Sequence, residues 1–498
     1  MSRLHALMLL LILVLSGCPG DRPEQTAPSS TLSAPDESDE GPVADKTEVR
    51  PIPEMDIPAL SAPTDPEPPK FEPIVVPVFR PSDTRPEYVP EDYEPRDIRR
   101  LSSRRIVLFT DVDESQLAGL GQSVDALYDE WVRYFGELPP SREEDEYQLT
   151  GYLMKEADRF RAANMLPNEL PRFEHGRHRG LQFWMFNLEF DYYQRHLVLH
   201  EATHCFMTTM PGPLPPHWYM EGMAEFFATH RRVDAETWQF GICPPSREEF
   251  RGFGGVDLIR QEVEANRFLS VADVMQLGEK EFAQSKTIPY AWSWWLCQFL
   301  SRHPRYAEKF RSLGQHLSSG DFTPTLEATF ENDGGTMELE WALATQSLAY
   351  GFDVEQFAFE FESGQLLVAG TERTMDVSSS ASWQSTGIRV EANQAISLTC
   401  VGRVALAKVP KPWESEGAGI TIRYHEGKPI GRLLGIVLPD QLPADTHAGS
   451  IPEFFKIDIG NGTSVTSPTN GTLYLRVNDF WNELADNTGS FRVTVKAE

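Results

Sequence analysis

The sequence predicts an α+β chain: a mixed helix–strand lobe, then an antiparallel β-sandwich, both behind a disordered N-terminal linker. Three observations predict it. Residues 19–100 hold 18 of the chain's 38 prolines, with 19 acidic and nine basic residues, a composition that buries little and stays extended. From Arg104 to Arg302, apolar runs of strand length alternate with apolar positions at helical spacing. From about Met375, short alternating runs are separated by Gly, Pro, Asn and Asp, as in antiparallel strands packed in two layers.

The N-terminus comes first. A basic start at Met1-Ser2-Arg3 precedes an apolar run from Leu7 to Leu15. That run is too short to span a bilayer and reads as a secretory signal. Leu15-Ser16-Gly17-Cys18 resembles the bacterial lipobox, in which the cysteine is lipidated and becomes the mature N-terminus; the alternative is an ordinary signal peptide with an incidental cysteine. The expected organisation is therefore 1–18 lipoprotein signal peptide, 19–100 linker, 101–374 mixed lobe and 375–498 sandwich. Lipidation at Cys18 places the chain outside the cytoplasm, anchored to a bacterial membrane, periplasmic or at the cell surface.

In the mixed lobe, Arg104–Thr110, Tyr147–Met154 and Gly180–Phe186 read as strands. Asp113–Phe135 reads as a helix, with Leu117, Leu120, Val124, Leu127 and Trp131 in register, and Lys155–Asn164 as a shorter one. A buried helix is expected from about Asp191 to Met210, stopped by Pro211-Gly212-Pro213. Another begins at the proline-rich Pro216 and runs to Phe227. Thr287–Arg302 is a further helix, rich in tryptophan, ending at His303-Pro304.

The Asp191–Met210 helix carries His200-Glu201-Ala202-Thr203-His204. Residues i and i+4 share a helix face, so both imidazoles reach one metal ion, with the glutamate beside them to handle a water. A buried charge needs a partner or a metal; the alternative is a pair of satisfied core histidines. Glu221 follows His204 by 17 residues, enough for a turn and a second helix to return. It completes a three-ligand set with one open position, the catalytic form of zinc coordination. Glu225 is one turn further on the same face, placed to accept a hydrogen bond from a ligating histidine. The alternative for both glutamates is a solvated helix face. Tyr290, at the start of the tryptophan-rich helix, is a candidate donor to a developing oxyanion, with packing as the alternative. The loop residues His175, Arg177 and His178 could be extra ligands, but lone loop histidines are more often solvated.

H-E-A-T-H followed by W-Y-M-E-G-M-A-E-F-F resembles the gluzincin metallopeptidases, and within them the bacterial peptidase-MA-like branch. The resemblance spans about Arg104 to Phe359, with its specific residues at 200–225. It implies a zincin-like fold, zinc on His200, His204 and Glu221, and Glu201 as general base toward a protein or peptide substrate. In that fold an edge strand lines the cleft, and Gly180–Phe186 is assigned that place.

Between the last two sandwich strands lies a loop crowded with oxygen ligands, Asn478 to Gly489. Such loops suit Ca²⁺, or are plain polar hairpins. The segment Trp383–Val495 resembles galactophilic lectins of the PA-I type. That resemblance implies calcium on the side chains of Asp479, Asp486 and Asn487, with a backbone carbonyl at Glu483, and a galactose-like carbohydrate as partner. The lectins' central sugar-contacting loop has no clear counterpart around Pro410–Gly419. An exposed Trp481 would stack on a sugar; a buried one would pack the hairpin.

The net charge of −29 argues against a nucleic-acid partner, which needs clustered Lys and Arg. Apart from Cys18, the cysteines at 205, 243, 297 and 400 form no metal-binding spacing, and their pairing is open. The expected protein is an extracytoplasmic, lipid-anchored zinc metallopeptidase with a calcium- and carbohydrate-binding-like module. Its rival is a non-catalytic surface adhesin on a peptidase-like scaffold.

Overall fold

The computed structural model describes residues 78–498 except 318, 408–411 and 440–450. The signal peptide, Cys18 and most of the linker lie outside the described residues. Among the described residues no helix is long and apolar enough to cross a membrane.

The first lobe is organised by a five-stranded sheet. Its strands are β1 (Arg99–Ser102), β2 (Ile106–Thr110), β3 (Leu149–Met154), β4 (Gly176–Arg179) and β5 (Gln182–Phe186). Their order is β1-β2-β3-β5-β4. The three central strands run parallel, and β1 and β4 are antiparallel edges. Strands buried on both faces lose polar alternation, and β2 and β3 are buried at every position. On one face Ile106, Leu108, Leu153, Phe183 and Met185 join the main core. On the other, Val107, Phe109, Tyr152 and Trp184 meet Tyr93 and Ile98.

That second face corrects the expected linker boundary. Residues up to 100 were assigned to a tether, yet Tyr93 and Ile98 are 6% and 1% exposed, and β1 starts at Arg99. The sheet's second face needs an apolar cover, and the chain just before it supplies one. A second correction concerns the cleft strand. Gly180–Phe186 contains β5, which is interior; the edge is β4, in a stretch read as loop. Four short residues, Gly-Arg-His-Arg, carry no apolar signal, because an edge strand here needs none.

Four helices build the rest of the site region: α1 (Leu120–Phe135), α2 (Asp191–Met207), α3 (His217–Ala228) and α4 (Ile288–Arg302). All four match expectation within a few residues, except that the first turns before α1 are a separate 3₁₀ segment, Glu114–Gln116. Helix α2 is buried almost all round, from His196 through Met207. It is tied to α1 where Trp131 Nε1 donates to Thr203 Oγ1 (3.2 Å). Its last carbonyls accept from Thr208 Oγ1 (2.7 Å, from His204) and Thr209 Oγ1 (2.9 Å, from Cys205), which is how a helix end without a glycine cap is satisfied. Helices α3 and α4 touch at Gly222. A Cβ there would stand 2.6 Å from both Ser293 O and Cys297 Sγ, so only glycine allows this approach.

The C-terminal lobe has a six-stranded and a four-stranded sheet. Ile388, Leu433, Leu473 and Leu475 of the first share a core with Val377, Leu398, Phe491 and Val493 of the second. Its first strand in the four-stranded sheet is Glu372–Ser378, three residues before the expected boundary. The described residues form one compact unit, because the two lobes are joined by aromatic packing. The Trp481 ring lies 5.0 Å from Phe357 and 5.9 Å from Phe352, and Tyr474 lies 5.6 Å from Phe359. The cysteines at 205, 243, 297 and 400 are all free thiols.

Replacing Trp481 with alanine empties this joint. A loss of about 3–5 kcal/mol is expected, as for other buried large aromatics, read as a fall in the denaturation midpoint. An unchanged midpoint would show that the joint carries no stability.

Candidate metal centre

Helix α2 presents His200 and His204 one turn apart, and α3 brings Glu221 against them. The histidine Nε2 atoms are 3.1 Å apart, and Glu221 Oε2 lies 3.4 Å from His200 Nε2 and 3.1 Å from His204 Nε2. Bonds of about 2.0–2.2 Å in a tetrahedron put ligand atoms roughly 3.3 Å apart. The three distances therefore fit a zinc-sized cation. Among the described residues, these three form the only group of three or more His, Cys, Asp or Glu able to hold a metal in this way. His200 and His204 are nearly enclosed, while the Glu221 side chain keeps 20% exposure.

The charges around the donors are balanced by glutamates. Burial works against a charged His200, but Glu221 and Glu225 outweigh it and hold its pKa well above the usual value. His204 goes the other way: burial lowers it, and Glu221 only partly compensates. Burial also opposes ionisation of Glu225, yet His196 and His200 bring its carboxyl down to about 2. Glu221 is likewise driven well below the usual carboxylate range by His204 and His200, against its burial.

Glu225 is where expected and does more than expected. Its Oε1 lies 3.2 Å from His200 Nδ1, and its Oε2 lies 2.9 Å from His196 Nε2. His196 was not foreseen. It sits four residues before His200, so the same i to i+4 spacing that marks the ligands also marks it. Among the described residues no carboxylate stands beside His204 Nδ1, whereas Glu225 stands 3.2 Å from that of His200; neither Nδ1 makes a well-aligned hydrogen bond.

Glu201 is 5% exposed and is framed by β4. A Cβ on Gly176 would lie 2.3 Å from Glu201 Oε1, so glycine makes room for the carboxylate. Two residues on, and therefore on the same side of the strand, His178 places Nδ1 3.6 Å from Glu201 Oε2. Its ring stacks on His204 at 4.6 Å. His178 was expected in solvent; pairing of β4 with β5 brings it to the centre instead. No local sequence signal marks it.

A cleft of about 490 Å³ opens onto this group, lined among others by Phe173, Gly176, Tyr193, Glu201 and Tyr290. The Tyr290 ring is 6.3 Å from that of His200. Burial first, then Glu221, Glu225 and Glu201, push its hydroxyl pKa up, so it is a neutral donor facing the cleft. A larger cavity of about 840 Å³ lies across the sheet by Arg85 and Arg104. Those two arginines are paired with Asp83 and Glu146, and no convergent donor set stands there.

The expected calcium loop is built differently. Asn487 turns Nδ2, not Oδ1, toward Asp479 Oδ2 (3.0 Å) and Ser379 O (3.1 Å). The Asn487 amide thus bridges these two acceptors. Asn487 Oδ1 is left without a partner. The Glu483 carboxylate is held by both Arg423 nitrogens at 2.6 and 2.9 Å, and Asp486 is exposed. Burial raises the Asp479 carboxyl to about 6. Trp481 is 2% exposed, so it packs the lobe joint and offers no face to a sugar.

No family model and no curated protein matches the chain. Solved structures give weak likenesses. The N-terminal domain of EclA, described as a PllA-like lectin, is 18% identical over 25% of this chain and 95% of its own, with a TM-score of 0.20. IMPa from Pseudomonas aeruginosa, solved with an O-glycopeptide, is 12% identical over 51% of this chain and 24% of its own, with a TM-score of 0.16. PliG of Aeromonas hydrophila, a periplasmic inhibitor of g-type lysozyme, is 9% identical over 27% of this chain and 96% of its own, with a TM-score of 0.15. Likenesses this weak leave the site to be read from its own geometry.

His196→Ala removes the partner of Glu225 Oε2 and touches none of the three donors. Zinc affinity should fall about 10–100-fold, the usual effect of losing an outer partner, in a chelator competition. Unchanged affinity would remove His196 from the centre.

Proposed function

We propose that this protein is a zinc metallopeptidase of gluzincin type, held outside the cytoplasm by a lipid on Cys18. The observation that carries the reading is the convergence of His200, His204 and Glu221 beside a buried Glu201. Zinc, when bound, supplies a Lewis acid that polarises a carbonyl and acidifies water. Glu201 takes the proton from the attacking water and delivers it to the leaving amine. Gly176 and His178 hold the Glu201 carboxylate in place, and Glu225 with His196 orients His200. Tyr290 donates a hydrogen bond to the oxyanion as it forms. The exposed edge of β4 is free to pair with an extended peptide, so main-chain hydrogen bonds position the scissile bond.

The loop from Asp479 to Asn487 has no part in this reading, because Arg423, Asn487 and the lobe joint already use its side chains. That also weakens the adhesin alternative, whose sugar contacts depended on it.

Glu201→Gln should keep zinc and lower peptide turnover about 10²–10⁴-fold. Retained turnover would sink the assignment. Tyr290→Phe should lower kcat about 10²–10³-fold with little change in KM; a change in KM alone would make Tyr290 a packing residue. Cys18→Ala should move the chain from the membrane fraction to the soluble one, and continued membrane recovery would end the lipid-anchor proposal.

A further inference from the structure

The free, exposed charges of the cleft differ in sign from the molecule around it. The chain carries 74 acidic against 45 basic residues. Yet three exposed cations line the cleft, Arg172, Arg177 and Lys286. Among the described residues none of the three has an ion-pair or hydrogen-bond partner.

The anions of the same cleft are mostly committed. Asp257 is held by Arg247 at 2.5 Å and by the Tyr350 hydroxyl at 2.8 Å. Glu225 serves His196 and His200, and Glu201 faces His178. Glu174 alone is exposed and free, so three free cations stand against one free anion.

Their placement also matters. Arg172 and Arg177 belong to the β4 wall, and Lys286 stands on the opposite wall, four residues before Tyr290. Gly176 and His178 turn toward helix α2, and Arg177 between them sits beside Trp184 and lines the cleft at the strand edge. Unpaired cations around a cleft attract an oppositely charged ligand, more so when the surrounding surface repels it.

We propose that this cleft selects peptides with aspartate or glutamate close to the scissile bond. The inference rests on the metallopeptidase reading for what happens to the peptide, but not for its binding.

The test separates the two. The full-length Glu201→Gln chain, loaded with zinc, is titrated against labelled peptides of one sequence that differ only in Asp and Glu versus Asn and Gln. Exposed charge contacts each contribute a few-fold, so acidic peptides should bind about tenfold tighter, with the gap closing as salt rises. Replacing Arg172, Arg177 and Lys286 together by glutamate should reverse the preference while the circular dichroism spectrum stays unchanged. Equal affinities, or an acid preference that survives the reversal, would overturn the proposal. So would displacement of the peptide by a sialylated glycan at equal concentration, since the site would then be reading a carbohydrate. Turnover of the same peptides by the unmodified chain reports on the peptidase reading separately: binding without cleavage defeats that reading and leaves this one standing.

Discussion

Two histidine nitrogens and a carboxylate oxygen within 3.1 to 3.4 Å of one another need a proton or a cation among them. The core of the first lobe is arranged to hold that grouping. His200 and His204 are fixed because α2 is buried on nearly every side, anchored to α1 through Trp131 and Thr203. Glu221 is fixed because Gly222, its neighbour, lets α3 press against α4 with no side chain between them. Burying charged groups this deeply is costly unless they are paired; Glu221 pairs with both histidines, and a cation would pair all three. Folding and metal binding are then linked, since ligands held apart from water in advance gain more from the metal than a flexible set would.

The support extends outward in layers. Glu225 and His196 steady one ligand from the α3 side. The β4 strand steadies the base from the opposite side, with a glycine where the carboxylate needs room and a histidine where a ring fits against His204. Both arrangements depend on the sheet, because β4 reaches the helix only by pairing with β5, whose own position follows from β3. A short, polar edge strand is therefore as necessary to the centre as the helix that names its ligands.

Much of this was legible in the sequence. Helical spacing located α1 to α4, and the i to i+4 rule located both histidines. Glu221 and Glu225 followed from one turn of the next helix. What was missed has a common cause. Strand β4 and the cover of the sheet's second face, including Tyr93 and Ile98, carry no periodicity of their own; they are placed by what they pack against. His178 looked solvated because a lone histidine between two arginines has no local signal. The contacts of the expected calcium loop were hidden for a related reason. Its composition suited a cation, but Arg423 and the amide of Asn487 arrive from tertiary contacts that composition does not encode.

The joint around Trp481 alters what the second lobe is. Phe352, Phe357 and Phe359 close against it and form part of the same continuous core as the helices that carry His200 and Glu221. A chain cut at residue 374 would bare those rings to water, so the first lobe is not a bead that can be taken off a string. Any force or attachment acting on the sheets passes directly into the body that holds the histidines. Where the second lobe is held, the mouth of the cleft points in one fixed direction, and what it meets is decided by orientation as much as by affinity.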